Sequence, residues 1–264
     1  MKSIAVNGAE IHYADRGAGA PLLLVHGFPL DHSMWDAMNP GAAAVRAIAP
    51  DLPGFGLSPP RGETATMEQF ADDLAGLLDS LEIDEPVVFC GLSMGGYIAL
   101  QFERKYRRRL RGLVICDSRA AADSPEAAQT RGVLAERVLC EGVDPIIETM
   151  TPRLLAEKTK RENPRLIERL RRMMAASDRR GVAAALRGMA ARPDMTAAIA
   201  EISCPTLLVV GDEDLLTPPA EMRTMAETIP GARFVEIPEA GHLAPLEAPA
   251  AVAAAIAEFL RDIV

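Results

Sequence analysis

The chain has 264 residues, of which 49% are hydrophobic and 25% charged; these are the proportions of an ordinary folded protein and exclude a disordered one. A chain of this length can bury one sizeable core, so one domain with an elaboration is expected. Lys and Arg number 28 against 37 Asp and Glu, a formal net charge of -9, and a negative field of this size disfavours nucleic acid and anionic membranes as partners.

The chain opens with a predicted β-hairpin. Residues Ser3–Val6 and Glu10–Ala14 alternate in polarity around Asn7-Gly8, a dipeptide that strongly favours a two-residue hairpin turn. The opening residues interrupt their apolar run too early for a signal peptide, and no later segment reaches the length of a membrane span. We therefore expect a cytoplasmic protein without a membrane partner.

Six further apolar runs predict buried strands. They are Pro21–Val25, Val45–Ala49, Pro86–Cys90, Leu110–Cys116, Thr206–Val210 and Arg233–Ile237. Helical patterns lie between and after them, including Met67–Leu81, which has its apolar residues on one face, and the alanine-rich segment Ala248–Ile263. Strands that alternate with helices indicate an α/β fold with a mostly parallel central sheet flanked by helices.

The pattern changes between Asp117 and Cys204. This stretch is rich in Ala, Arg and Met, shows no convincing strand run and is interrupted by several prolines. We interpret it as a helical insertion that forms a cap over the site. Its methionines either pack the helices together or line an adaptable apolar pocket, and the sequence leaves both uses open; they are Met150, Met173, Met174, Met189 and Met195.

A candidate nucleophile lies in Gly91-Leu92-Ser93-Met94-Gly95, after the predicted strand Pro86–Cys90 and before helical sequence from Tyr97 to Lys105. This G-x-S-x-G pattern between strand and helix is typical of a serine held on a sharp turn. Side chains in place of its outer glycines would collide with the neighbouring strand or helix. The alternative is a tight turn with a helix cap, but the partners described next favour a nucleophilic Ser93.

A serine hydroxyl needs a base to take its proton and an acid to orient that base. Of the four histidines, His242 follows the last predicted strand, where a loop leaves the carboxyl edge of the sheet. His12 belongs to the opening hairpin. His26 and His32 precede the serine, on the loop to which we assign an oxyanion-hole donor. The sequence therefore predicts His242 as the general base.

The predicted acid follows the strand Thr206–Val210, where three carboxylates occur in Asp212-Glu213-Asp214. Asp214 lies farthest into the loop, and the order Ser, Asp, His along the chain matches a known catalytic arrangement. Asp117, which follows Leu110–Cys116, is the reserve candidate, with a polar role near the substrate or a helix cap as its alternative tasks.

An oxyanion hole requires two backbone N–H groups. Met94 follows the serine directly, and Phe28 lies on the loop that leaves the strand Pro21–Val25 through Gly27. We predict Phe28 and Met94 as the two donors. On the same reasoning the substrate pocket is expected to include His26 and Trp35 from this loop, together with Asp117.

These motifs, in this order, make the sequence resemble the α/β-hydrolase superfamily along nearly its whole length. The resemblance implies a core of residues 1–117 and 204–264 with a helical cap, residues 118–203, inserted after the sixth strand. It also implies a scaffold role for the loop Asp51–Ser58. The stretch His26–Asp31 is similar to small carboxylesterases, aryl esterases with perhydrolase side activity and 3-oxoadipate enol-lactonase-like enzymes. Ser93 stands where haloalkane dehalogenases and epoxide hydrolases of this fold carry Asp.

The predicted function is hydrolysis of a small-molecule ester through an acyl-enzyme. A lactonase or a C–C bond hydrolase could use the same residues. Two alternatives outside the enzymes remain, a ligand-binding module and a structural or interaction protein that has lost catalysis. Histidine spacing predicts no metal, and the absence of phosphate-binding and dinucleotide-binding motifs predicts no cofactor. Whether the chain forms a homo-oligomer is left open.

Overall fold

The computed structural model describes residues 1–38 and 45–264. An eight-stranded sheet forms its centre, with the strands in the order β1-β2-β4-β3-β5-β6-β7-β8. The strands are β1 (Lys2–Val6), β2 (Ala9–Gly17), β3 (Ala20–Val25), β4 (Val45–Pro50), β5 (Val87–Leu92), β6 (Leu110–Cys116), β7 (Thr206–Gly211) and β8 (Arg233–Ile237). Each predicted run overlaps one of these strands.

The two ends of the sheet differ in direction. β1 and β2 pair antiparallel, with Asn7 and Gly8 at positive φ in the turn (49° and 80°), which confirms the predicted hairpin. β2 also pairs antiparallel with β4, and every later pair is parallel. The predicted α/β fold with a mostly parallel sheet is therefore confirmed.

The strand order reverses at β3. The chain passes from β3 to β4 on one side and then to β5 on the other, so the loops after β3 and β5 diverge and leave a crevice at the carboxyl edge of the sheet. Leu24 of β3 lies opposite Cys90 of β5 in this register. The Phe28 loop and the Ser93 turn lie side by side at this point, since a Cβ on Gly27 would lie 3.4 Å from the Ser93 Cβ.

Helices cover both faces of the sheet and the region above its carboxyl edge. They are α1 (Met67–Ser80), α2 (Met94–Tyr106), α3 (Pro125–Glu141), α4 (Asp144–Leu154), α5 (Glu157–Glu162), α6 (Pro164–Ala175), α7 (Arg179–Ala190), α8 (Pro219–Thr228), α9 (Ala244–Glu247) and α10 (Pro249–Ile263). Short 3-10 helices span His32–Trp35, Arg107–Arg109 and Ala198–Glu201. None of the helices in the described residues has the length and hydropathy of a bilayer-spanning segment.

The segment between β6 and β7 contains α3 to α7 and the third 3-10 helix. α3 packs along α7, and α7 lies against the loops that follow β4. Gly181 of α7 approaches Gly54 so closely that a Cβ on Gly181 would lie 2.3 Å from the Gly54 Cα. The Ala65 N–H also donates to the Ala184 carbonyl (3.1 Å). These backbone contacts hold α7 on the sheet-bearing part of the molecule.

Candidate active site

Ser93 lies at the sharp turn between β5 and α2. Its backbone is at φ 51° and ψ -110°, a strained conformation for a residue with a side chain. The Ser93 N–H donates to the Cys116 carbonyl (2.9 Å), and the Ser118 hydroxyl donates to the Ser93 carbonyl (2.8 Å). Both bonds come from the end of β6 and the residues after it, so the neighbouring strand maintains the strain.

The glycines around Ser93 allow the turn to pack closely. A Cβ on Gly91 would lie 2.2 Å from the Gly95 carbonyl oxygen at the start of α2. A Cβ on Gly95 would lie 2.5 Å from the Val25 carbonyl oxygen of β3. The collisions predicted from the sequence, one with the helix and one with a neighbouring strand, are therefore present in the geometry.

Ser93, His242 and Asp214 form one hydrogen-bonded chain. His242 Nε2 lies 2.8 Å from Ser93 Oγ, and His242 Nδ1 lies 2.8 Å from Asp214 Oδ2. Because a carboxylate can only accept, Nδ1 carries the proton and donates a hydrogen bond to Asp214. Nε2 then accepts a hydrogen bond from the Ser93 hydroxyl. The three side chains selected from the sequence thus lie in the order that proton removal from Ser93 requires.

Asp214 is held as an ionised acceptor. Its Oδ1 accepts from the backbone N–H groups of Leu216 (2.7 Å) and Thr217 (3.0 Å), and the Thr217 hydroxyl donates to Oδ2. Burial alone would raise the pKa of the Asp214 carboxyl, but the charge of His242 and these hydrogen bonds outweigh burial and lower it. Sequence reasoning missed Thr217, whose position three residues after Asp214 suits such a side-chain turn.

Asp117 is fully buried and does not line the cavity described below. Its Oδ1 accepts from the Gly211 N–H (2.8 Å), and its Oδ2 has no partner among the described residues. Burial, the nearby Asp214 and Cys116 raise the pKa of this carboxyl well above its ordinary value. The expectation that Asp117 lines the substrate pocket is therefore wrong, because the side chain points into the sheet edge and ties β6 to β7.

His26 and Trp35 do not line the cavity either. His26 is fully buried, its Nε2 accepts from the Leu52 N–H (3.0 Å) and its Nδ1 donates to the Gly27 carbonyl (2.9 Å). Burial lowers the pKa of the His26 imidazole and keeps it neutral. Trp35 is packed in the core at 3% exposure. Both predictions are wrong because these side chains fasten their loop to the core instead of facing the crevice.

The His242 loop is fastened to the segment between β6 and β7. Glu247 accepts from the Gly241 N–H through one carboxylate oxygen and from the Ala156 N–H through the other, both at 2.8 Å. A Cβ on Gly241 would lie 2.7 Å from the Ala156 nitrogen. Burial raises the pKa of the Glu247 carboxyl, although the N–H groups around it oppose that rise. Glu247 therefore fixes the residue before His242 relative to the chain that follows α4.

A cavity of about 640 Å³ opens onto the triad, a volume typical of small-molecule sites. The sheet-bearing part contributes Phe28, Ser93, Tyr97, Leu216, Thr217 and His242. Met94 is the first residue of α2, so its N–H is one of those that a helix leaves without an intrahelical acceptor. The residues predicted as oxyanion donors thus flank Ser93, with Phe28 on the cavity wall.

The rest of the cavity wall comes from the segment between β6 and β7. α3 presents one face, with Ala127, Thr130, Arg131, Leu134 and Arg137 at helical spacing. α4 adds Thr149, Met150 and Arg153, and α7 adds Leu186 and Met189. Of the methionines noted in the sequence, Met150 and Met189 line the cavity, whereas the other three pack elsewhere. Sequence reasoning missed most of this wall because its residues are selected by helix packing.

In the described part of the chain, one group of side chains could converge on a metal ion, namely Asp31, His32 and Asp51. Asp51 Oδ1 already accepts from the His32 N–H (2.9 Å) and Nδ1 (2.7 Å), and Oδ2 accepts from the Leu57 N–H (2.9 Å). Burial would lower the pKa of His32, but Asp51 outweighs it and raises that pKa. The geometry therefore fits a structural ion pair that holds the loop after β4, in keeping with the scaffold role implied for Asp51–Ser58.

Comparisons with known proteins agree with this geometry. A family model described as "Alpha/beta hydrolase family" matches residues 22–255. A malate-bound thermophilic esterase from Thermogutta terrifontis is 49% identical, with a TM-score of 0.97 over 100% of this chain and 99% of that one. The enol-lactonase from Burkholderia xenovorans LB400 is 29% identical, with a TM-score of 0.91 over 98% and 100%.

In sequence, 3-oxoadipate enol-lactonase 1 of Acinetobacter baylyi is 28% identical over 266 residues, which cover 99% of this chain and 93% of that protein. The esterase and the two lactonases each match this chain over nearly their whole length. These relatives confirm the resemblance predicted from the sequence and the prediction of a hydrolase.

Proposed function

Because the chain belongs to the alpha/beta hydrolase family, we propose that it is a serine hydrolase that cleaves small carboxylic esters through an acyl-enzyme intermediate. The observation that carries this proposal is the hydrogen-bonded chain from Ser93 Oγ through His242 to Asp214 at the wall of a cavity. The similarity to the Thermogutta terrifontis esterase supports an ester as the substrate.

In the proposed reaction, Ser93 Oγ attacks the ester carbonyl carbon while His242 Nε2 takes the hydroxyl proton. Asp214 stabilises the imidazolium that forms, and its lowered pKa keeps it ionised for that role. The proton then passes to the departing alkoxide as the acyl-enzyme forms. Water, deprotonated by the same imidazole, attacks the acyl carbon and releases the carboxylic acid and free Ser93.

The tetrahedral intermediate places a negative charge on the former carbonyl oxygen. We assign its stabilisation to the backbone N–H groups of Phe28 and Met94, which flank Ser93, and to the N-terminal end of the α2 dipole. Loss of one such donor typically raises the barrier by about 2.7–4 kcal/mol. Residues 118–203 are proposed to act as a cap, since helices α3, α4 and α7 supply much of the cavity wall.

A lactone is the second candidate substrate, favoured by the similarity to the two enol-lactonases. The same steps apply to a cyclic ester, except that the leaving oxygen stays attached to the acyl group. The product is then one open-chain acid instead of an acid and an alcohol. A panel of esters and lactones distinguishes the two candidates by kcat/KM.

The deciding experiment compares wild type, Ser93→Ala and Ser80→Ala on p-nitrophenyl acetate, p-nitrophenyl butyrate and a set of lactones. Ser80 is an exposed serine at the end of α1 and serves as the matched control. We expect Ser93→Ala to lose nearly all turnover and labelling by a fluorophosphonate, while Ser80→Ala keeps both. Substantial hydrolysis by Ser93→Ala would refute the assigned nucleophile.

A further inference from the structure

The cavity beside the triad is rich in arginine. Arg119, Arg131, Arg137 and Arg153 line it, whereas Asp123 is its one lining carboxylate within the described residues. This local composition contrasts with the net charge of -9 for the whole chain. A cleft lined by charges of one sign raises the local concentration of ligands of the opposite sign.

Three of the four lining arginines take part in ion pairs. Asp123 pairs with both Arg131 and Arg192, so one carboxylate serves two guanidinium groups. Arg119 pairs with Glu221 (3.3 Å), and Arg137 pairs with Glu141 (2.9 Å).

Arg153 is the arginine of the cavity wall that makes no ion pair or side-chain hydrogen bond among residues 1–38 and 45–264. Residues 39–44 contain no carboxylate that could pair with it. Within the described residues, Arg119, Arg131, Arg137 and Arg192, which itself does not line the cavity, share three carboxylates in ion pairs, and Arg153 is left without one.

The backbone places Arg153 on the histidine side of the cavity. Arg153 lies at the end of α4, two residues before Leu155. Leu155 and Ala156 pack directly on Gly241, where a Cβ would lie 2.8 Å from the Leu155 carbonyl carbon. Two residues of chain span at most about 7 Å, so the Arg153 backbone lies near the loop that carries His242. The Glu247 contacts to both Ala156 and Gly241 hold this arrangement.

We propose that the substrate of this site carries a carboxylate in addition to the bond that is cleaved, and that Arg153 binds that carboxylate. A guanidinium group suits this task because its planar fork matches a carboxylate. The substrate class is then a half-ester of a dicarboxylic acid, or a lactone or ester with an acidic substituent. This inference rests on the proposed function, because it assigns the substrate class of the same site.

The test compares matched pairs of esters that differ in charge. One pair carries the difference on the acyl part, p-nitrophenyl hydrogen glutarate against p-nitrophenyl valerate. The other carries it on the alcohol part, 3-acetoxybenzoate against 3-acetoxytoluene. In at least one pair, wild type should hydrolyse the anionic ester with about tenfold higher kcat/KM, near the lower end of what a hydrogen bond to a charged group contributes. Raising the ionic strength from about 0.01 M to 1 M, which shortens the screening length from about 30 Å to about 3 Å, should reduce the preference.

Arg153→Gln keeps a polar side chain and removes the charge. It should therefore abolish the preference by lowering kcat/KM for the anionic ester, with kcat/KM for the neutral ester unchanged. The neutral ester then reports whether the variant is folded and active. Arg165→Gln is the matched control, because Arg165 is an exposed arginine of the neighbouring helix α6 that does not line the cavity.

Equal kcat/KM within both pairs, or a preference that Arg153→Gln leaves unchanged, would overturn the charge assignment while leaving the hydrolase intact. If Ser93→Ala hydrolysed both esters as wild type does, the proposed function would fail as well.

Discussion

Asp214→Asn tests how the triad works, because it changes one atom and little of the shape. The new side chain can keep Oδ1 in place, where it accepts from the N–H groups of Leu216 (2.7 Å) and Thr217 (3.0 Å), so the loop should hold its conformation. An amide nitrogen then replaces Oδ2 at 2.8 Å from His242 Nδ1. This nitrogen donates and cannot accept, so the imidazole proton must move from Nδ1 to Nε2.

A proton on Nε2 would point at Ser93 Oγ, 2.8 Å away, and the imidazole could no longer act as a base in that tautomer. Such a change in a serine triad lowers kcat by about 10⁴, which corresponds to a barrier increase of about 5.4 kcal/mol. We expect a loss of this size for Asp214→Asn.

The assay is the steady-state hydrolysis of p-nitrophenyl butyrate, with thermal unfolding measured on the same samples. Asp212→Asn is the matched control, because Asp212 is an exposed carboxylate two residues away, and it should keep wild-type kcat. If Asp214→Asn retained more than a tenth of wild-type kcat in a folded protein, the tautomer argument would be refuted.

Three further predictions concern residues around the site. Asp117→Asn should keep kcat near wild type, because Asp117 does not line the cavity and burial already raises the pKa of its carboxyl. Urea unfolding should show this variant gaining stability relative to wild type as the pH rises above about 4, where the unfolded carboxyl ionises more readily than the folded one; an unchanged difference would contradict the raised pKa. Glu247→Gln should lower the free energy of unfolding by about 1–3 kcal/mol in the same assay, since its amide nitrogen would face a backbone N–H at 2.8 Å. Wild-type stability of this variant would argue against the role of Glu247 in fastening the His242 loop. Gly188→Ala should lower the melting temperature because its Cβ would lie 1.7 Å from the Ala65 oxygen. Gly132→Ala in α3 has open space and should gain about 0.5–1 kcal/mol of stability; shifts of the same sign in the two variants would contradict the close contact at Gly188.

The strands and the convergence of Ser93, His242 and Asp214 were predictable because their signals are local. Apolar runs such as Leu110–Cys116 need only be buried to form strands, and the glycines at Gly91 and Gly95 mark a turn that few other residues permit. The order of strands and loops along the chain then selected Ser93, Asp214 and His242, and these side chains lie in hydrogen-bond contact.

Side-chain direction was not predictable for residues on the loops of the crevice. His26 follows a strand that ends at the site, yet its two ring nitrogens are both occupied by backbone groups of its own scaffold. Trp35 and Asp117 likewise turn into the core. Position along the chain places a residue near the site, but only packing decides whether its side chain faces the cavity or the interior.

The sequence by itself determined the α/β architecture, the serine turn and the order in which Ser93, Asp214 and His242 follow the strands, since each depends on the chemistry of a few consecutive residues. Only the tertiary structure decided the cavity. α3, α4 and α7 reach the site through helix packing, and this brings Arg153 to the loop of His242 although 88 residues of chain lie between them. Contacts over such a distance in sequence follow from the sum of many weak packing choices, which no local pattern encodes.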